Sequence, residues 1–258
     1  MTLTLPNDAR LSLINELCLW TSKPPKTSLG SFKLKHWQCM AGWFNWALNI
    51  YPLLCPVLNN VYAKMANKGN KERVYINNAI QEDLLWAVNH LEHSDGIHLF
   101  KSFRWTPTLA NFTIYCDACP EGMGFWYPLS KDGYNAPTPV NVPTNAIFYF
   151  KTLCVLSALE HVQTRATHGS KILIYTNNRN TVDIFQALHC LPPYNHLLKA
   201  AIDIILQNDY SLCVIHVPGE QNVVTDALSR VHFSIALRTE LSLSLFSFHP
   251  PRLVGSTL

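Results

Sequence analysis

Four groups of residues have types and spacings that could do chemistry. The segment KILIYTNNRNTVDIF, Lys171 to Phe185, reads as a short strand, a turn and the start of a helix. Its strand ends at Thr176-Asn177-Asn178, so an amide stands at a strand end, a common position for functional groups. Asparagine is nearly isosteric with aspartate and keeps the shape of such a site while losing its charge. The stretch CDAC, Cys116 to Cys119, has the spacing of half a zinc site. No second CxxC or HxxxH pair completes it, and alternation along a strand puts its two thiols on opposite faces. The run KMANKGNKERV sets Lys64, Lys68, Lys71 and Arg73 against Glu72 alone. It could contact phosphates, or it could be a solvated loop between helices. His196 and His216 read as structural or surface residues.

Composition narrows the class. The 258 residues are 48% hydrophobic, which fits a globular chain of one large or two small domains. The net charge of +3 makes no general case for nucleic acid, but its distribution is uneven. Residues 1–108 carry 11 Lys/Arg against 7 Asp/Glu, and residues 109–258 carry 9 against 10. Eight scattered cysteines and an opening MTLTLPNDAR without an apolar core point to an intracellular protein with reduced thiols. No apolar run reaches membrane-spanning length; FNWALNIYPLLCPVL is broken by two prolines and fits a buried helix pair, so no membrane partner is expected.

The elements follow from periodicity. In SFKLKHWQCMAGWFNWALNIY, Ser31 is an expected helix N-cap, and Trp37, Met40, Phe44, Ala47 and Tyr51 recur on one helix face until Pro52. PVLNNVYAKMA gives a second helix. NAIQEDLLWAVNHLEH gives a third, with Ile80, Leu84, Ala87 and Leu91 on one side. From about residue 110 the pattern changes. NFTIYCDA and GMGFWYP are short strands joined by the turn CPEG. AIFYFKTLCVLSALEHVQTRA begins like a strand and continues as an apolar helix. KILIYT and YSLCVIHVP are strands, and NTVDIFQAL, NHLLKAAIDIILQN and NVVTDALSR are helices. This order predicts an α/β chain: a mixed sheet flanked by helices, preceded by a small mainly helical region. Residues 231–258, including LSLSLFSFHPP, fit no periodic template.

Together these segments resemble the ribonuclease H domain of retrotransposon reverse transcriptases. IYCDACPEGMGFW is similar to its first hairpin, in which a strand aspartate precedes a glycine-bearing turn. FYFKTLCVLSAL is similar to a helix entry that reads aromatic-x-Glu-x-Leu, and IYTNNRNTV to a strand end that reads Thr-Asp-Asn. HVPGEQNVVTDALSR is similar to a closing segment of Val-Pro-Gly, Asn, then Ala-Asp-Ala-Leu-Ser-Arg, a pattern specific to retroelement proteins. LGSFKLKHWQCMAGWFNWALNIYP is similar to the long helix of the thumb and connection region that precedes this domain. The resemblance spans roughly residues 1–230, with fungal retroelement polyproteins the nearest group. It implies three parts: a thumb/connection-like helical region at 1–108, a ribonuclease H-like domain at 109–232 and an unassigned tail at 233–258. No Tyr-x-Asp-Asp stretch occurs, so the polymerase portion and DNA synthesis are not expected of this chain.

The resemblance also implies the site. The family hydrolyses RNA in RNA/DNA hybrids with two Mg²⁺ ions about 3.5–4 Å apart, held by four acidic positions. Asp117 matches the first and Asp226 the last; Lys151 stands where the second, a glutamate, belongs, and Asn177 stands at the third, an aspartate. The protein charge facing the metals therefore falls from −4 to −1. Glu160 lies nine residues after Lys151, about 13.5 Å along a helix and half a turn away, and cannot substitute. Asp183 lies in the following helix, and Glu121 would need rearrangement. PGEQN is too short to be the histidine-bearing loop of cellular ribonucleases H. The expectation is a retroelement-derived ribonuclease H-like protein with impaired catalysis, Lys151 filling the space between Asp117 and Asp226. Two alternatives stand: a weak ribonuclease H using one Mg²⁺ on Asp117 and Asp226, and a non-catalytic module binding nucleic acid through Lys64, Lys68, Lys71 and Arg73.

Overall fold

The computed structural model describes residues 2–69, 71–93, 97–98, 105–140 and 147–252. The chain forms two compact units. The first comprises Met1–Arg104 with His189–Asn195, and the second Trp105–Leu188 with His196–Leu258.

The first unit is mainly helical. In chain order it contains β1 (Thr2–Leu3), α1 (Asn7–Thr21), β2 (Ser31–Lys33), α2 (Leu34–Leu48), α3 (Val57–Met65), β3 (Arg73–Tyr75), α4 (Asn78–His93) and β4 (Ile97–His98). β1 pairs with β4 and β2 with β3, both antiparallel. The helix faces read from periodicity are the buried ones: Trp37, Phe44, Ile80, Leu84, Ala87 and Leu91 are fully enclosed. Each large side chain buried there contributes roughly 1.5–3 kcal/mol. Leu13, Ile14, Leu17 and Trp20 of α1 join the same core. Ser31 is not a helix cap. It opens β2, and its hydroxyl accepts from Arg73 Nε at 2.8 Å, because pairing Phe32 with Val74 keeps the chain extended until Lys33. A buried polar chain completes this unit. Asn59 Nδ2 donates to Asn195 Oδ1 at 2.8 Å, and Asn195 Nδ2 donates to Asp83 Oδ2 at 3.0 Å.

The second unit holds β5 (Phe112–Ala118), β6 (Gly122–Tyr127), β7 (Asp132–Pro137), α5 (Ile147–Val162), β8 (Lys171–Thr176), α6 (Arg179–Ala187), α7 (Asn195–Asn208), β9 (Ser211–His216), α8 (Val223–Ser229), α9 (Phe233–Thr239) and β10 (Ser244–Ser247). Its six strands run in the order β10-β7-β6-β5-β8-β9. β5, β6 and β7 form an antiparallel meander, and β8 and β9 add in parallel on the far side of β5. This is the mixed α/β sheet flanked by helices that the order of elements in the sequence predicts. Ile147 to Phe150 are helical from the start of α5 rather than strand-like. Burial of Phe150, Leu153, Cys154, Val155 and Leu156 on nearly successive positions masks the helical period in the sequence. The segment left without an assigned element in the sequence contains α9, Phe233–Thr239, and β10, Ser244–Ser247. β10 lies parallel to β7, with Phe246 stacked on Tyr134 at 5.3 Å and Phe248 against Phe125 at 4.8 Å.

Two glycines let α8 lie against the meander. A Cβ on Gly124 would stand 2.6 Å from Leu228 Cβ and 2.9 Å from the Ser229 nitrogen, and one on Gly122 would stand 2.3 Å from the Ser229 oxygen. Gly124 pairs directly with Asp117, so this close approach brings α8 beside the end of β5.

Candidate active site

Asp117 is the sixth residue of β5 and is 3% exposed. Lys151 lies in the second turn of α5, and Asn177 directly follows β8. β5 and β8 are parallel, with Cys116 paired to Thr176, so Asp117 and Asn177 emerge together at the same edge of the sheet. α5 is fixed over this edge by the Cys154 thiol, which lies 3.2 Å from the Asp117 carbonyl and 3.3 Å from the Gly124 carbonyl. Burial pushes the neighbouring Cys116 thiol well above its ordinary value and leaves it inert as a nucleophile.

The three side chains form a closed ring of hydrogen bonds. Lys151 Nζ donates to Asp117 Oδ1 and, at 2.9 Å, to Asn177 Oδ1. Asn177 Nδ2 donates to Asp117 Oδ2 at 3.0 Å. The Ala118 backbone N–H adds a bond to Asp117 Oδ1 at 2.8 Å. Both carboxylate oxygens of Asp117 are thus engaged by donors. Asn178, next in sequence, plays a different part. Its Oδ1 accepts from the Thr181 N–H at 2.8 Å and caps α6. The signal for that cap is an asparagine immediately ahead of a helical run.

Asp226 is not hydrogen-bonded into this ring. On α8, its Oδ1 accepts from Arg230 Nε at 2.9 Å in an (i, i+4) pair, with both side chains nearly half exposed. Lys151 therefore bridges Asp117 and Asn177 rather than Asp117 and Asp226, because the amide oxygen of Asn177 is its second acceptor. The start of α8 is tied to the same strand through Asn222 Nδ2, which donates to the Cys116 carbonyl at 3.1 Å.

The Mg²⁺ ions that the resemblance implies do not fit this donor set. A divalent cation needs free oxygen ligands. Here an ammonium and an amide N–H point at the buried Asp117 carboxylate. Among the described residues no group of three or more His, Cys, Asp or Glu could hold a metal ion. Cys116 and Cys119 are free thiols with no companion pair. The other acids lie elsewhere: Glu160 is on the exposed side of α5, where partial desolvation raises its pKa, and Asp183 is on α6. His196 Nε2 lies 3.3 Å from the Tyr149 hydroxyl.

In the first unit the basic run is partly spent internally. Lys68 Nζ pairs with Glu72 at 3.5 Å, and Arg73 donates to the Ser31 hydroxyl and carbonyl. Lys64 closes α3, and Lys71 is exposed in the turn before β3. No helix among the described residues is long and apolar enough to cross a membrane.

No protein-family model and no curated protein matches the chain. Solved structures are similar to parts of it. LC11-RNase H1, solved in complex with an RNA/DNA hybrid, is 19% identical over 51% of this chain and 100% of its own, with a TM-score of 0.41. RNase H1 from the halophilic archaeon Halobacterium salinarum NRC-1 is 14% identical over 48% of this chain and 97% of its own, with a TM-score of 0.37. The foamy viral protease-reverse transcriptase dRH, solved with double-stranded DNA, is 12% identical over 76% of this chain and 35% of its own, with a TM-score of 0.29.

Proposed function

We propose that this chain is a retroelement-derived ribonuclease H-like protein in which hydrolysis of RNA in RNA/DNA hybrids is impaired at the metal site. The observation that carries this reading is the ring of Asp117, Lys151 and Asn177 at the shared edge of β5 and β8. Two-metal hydrolysis needs carboxylates that are free to bind cations. In this ring the lysine supplies the positive charge internally, and the asparagine supplies a donor where the ancestral reaction needs an acceptor. The substrate class is an RNA/DNA hybrid, and the helical first unit is the remnant of thumb and connection helices. On this reading residues 1–108 and 109–232 correspond to these two parts, and the segment 233–258 that follows contributes α9 and β10 to the second unit.

The test is cleavage of a labelled RNA/DNA hybrid with Mg²⁺ or Mn²⁺, comparing the natural chain with the Lys151→Glu, Asn177→Asp double variant. Cutting by the double variant alone supports the reading. Cutting by the natural chain that is abolished by Asp117→Asn overturns it and supports a one-metal enzyme. Binding of the hybrid without cutting by either protein shifts the reading to a non-catalytic binding module.

A further inference from the structure

The second unit carries a cleft away from the ring of Asp117, Lys151 and Asn177. It has a volume of about 230 Å³ and is open on one side. Its walls are the Trp126 indole on β6, Val223 and Val224 of α8, Glu220 from the short helical turn before α8, and Glu240 just after α9. This is small beside the roughly 300–1,000 Å³ pockets that enclose drug-sized ligands, and it suits a single small group.

The chemistry of the walls selects the sign of that group. An indole face attracts cations through its quadrupole, and Trp does so best of the aromatic side chains. Two carboxylates, Glu220 and Glu240, line the same cleft. The protein's own Lys131 demonstrates the preference: its Nζ lies 5.8 Å from the Trp126 ring centroid and 2.7 Å from Glu240 Oε2. Lys131 satisfies Glu240 from the rim, whereas Glu220, also lining the cleft, is exposed and makes no ion pair among the described residues. The two valines supply an apolar floor on which methyl or methylene groups can rest.

We propose that this cleft is a receptor for one alkylammonium group, placed between the Trp126 indole and the Glu220 carboxylate over Val223 and Val224. Two sources share that chemistry: a free organic amine, and a lysine side chain, plain or methylated, presented by a peptide.

The test follows the indole N–H resonance of Trp126 in the full chain, assigned with a Trp126→Phe variant, during titration with three probes. These are tetramethylammonium, a short peptide with one lysine or trimethyllysine, and neopentyl alcohol as a neutral probe of similar shape. A saturable shift with a cation and none with the alcohol supports the proposal. Response to tetramethylammonium alone identifies free amines as the source, and response to the peptide alone identifies a presented side chain. Absence of a saturable shift with both cations, or an equal shift with the alcohol, overturns it. Glu220 is exposed, so Glu220→Gln leaves the fold intact and should weaken binding about fivefold, the scale of one exposed ion pair. Lys131→Gln should tighten binding, because it vacates the indole and releases Glu240. Unchanged affinity in Glu220→Gln, or weaker binding in Lys131→Gln, overturns the proposal.

Discussion

Replacing Lys151 with methionine tests the central ring directly. The side chains of Asp117 and Lys151 are 3% and 14% exposed, so their ion pair lies largely out of water. Methionine keeps most of the length of the lysine stem and removes the ammonium. Asp117 would then retain two donors, the Ala118 N–H and the Asn177 amide, but no counter-charge. Breaking a buried pair by removing one partner costs about 3–5 kcal/mol, because an uncompensated charge stays behind. With a urea dependence of about 2 kcal/mol per molar, the unfolding midpoint of the second unit falls by about 1.5–2.5 M. The assay is urea unfolding followed through the indole resonances of Trp105 and Trp126, which report on this unit. Adding Asp117→Asn to Lys151→Met removes the stranded charge, so the double variant should recover more than half of the loss. A Lys151→Met protein within about 0.5 kcal/mol of the natural chain, the range of an ordinary surface substitution, would refute the reasoning.

Other outcomes follow from the same geometry. The natural chain should show the same thermal midpoint in EDTA and in millimolar Mg²⁺, whereas Lys151→Glu, Asn177→Asp should be destabilised in EDTA and rescued by Mg²⁺; differential scanning calorimetry separates the two. Gly124→Ala places a methyl 2.6 Å from Leu228 Cβ and should cost about 1–3 kcal/mol in chemical denaturation, as overpacking does. Burial, with Arg165 close by, holds His161 below the usual histidine range, and burial with Lys199 does the same for His196. The unfolded chain then takes up protons that the folded chain refuses, so stability is full above about pH 6.5 and falls as pH drops through the lower folded values. Unfolding measured against pH should show this loss, and His161→Gln should reduce its slope.

The core of the first unit is legible in the sequence because its apolar residues recur at helical spacing: Trp37, Met40, Phe44 and Ala47 in α2, and Ile80, Leu84, Ala87 and Leu91 in α4, all lie inside. The strands β5, β6, β8 and β9 are legible as β-rich runs bounded by turn residues. β7 is not, because DGYNAP contains a glycine, an asparagine and a proline and owes its extended form to pairing with β6. β10 is hidden for a different reason: LSLSL alternates, but the adjacent Leu245 and Phe246 break the period inside the strand, and its position depends on Phe246 and Phe248 finding Tyr134 and Phe125. Among the candidate residues, the meeting of Asp117, Lys151 and Asn177 can be anticipated only from the resemblance, since 26 and 34 residues separate the bonded pairs with lysine. The pairing of Asp226 with Arg230 has a local signal, the (i, i+4) spacing on a helix, and that short-range partner prevails over the long-range one expected in Lys151.

If Lys151 and Asn177 replaced acids, as proposed, the two replacements make electrostatic sense together and not apart. With Glu at 151 and Asp at 177, three carboxylates would crowd one strand edge and depend on bound cations for neutrality. Lys151 alone would leave one ammonium against two carboxylates, and Asn177 alone would leave two carboxylates with no internal cation. With both present, Asp117 and Lys151 cancel, and Asn177 uses its oxygen for the ammonium and its nitrogen for the carboxylate. Asp226 is balanced separately by Arg230. On the proposed descent, the ancestral metal site is thus divided into two neutral pairs, one buried and one solvated. The buried pair leaves Asp117 no free oxygen for a divalent cation to claim. A fold that needed metal to relieve repulsion among its acids has, on this reading, become self-sufficient, so a return to catalysis must reverse positions 151 and 177 together, with Mg²⁺ present as they change.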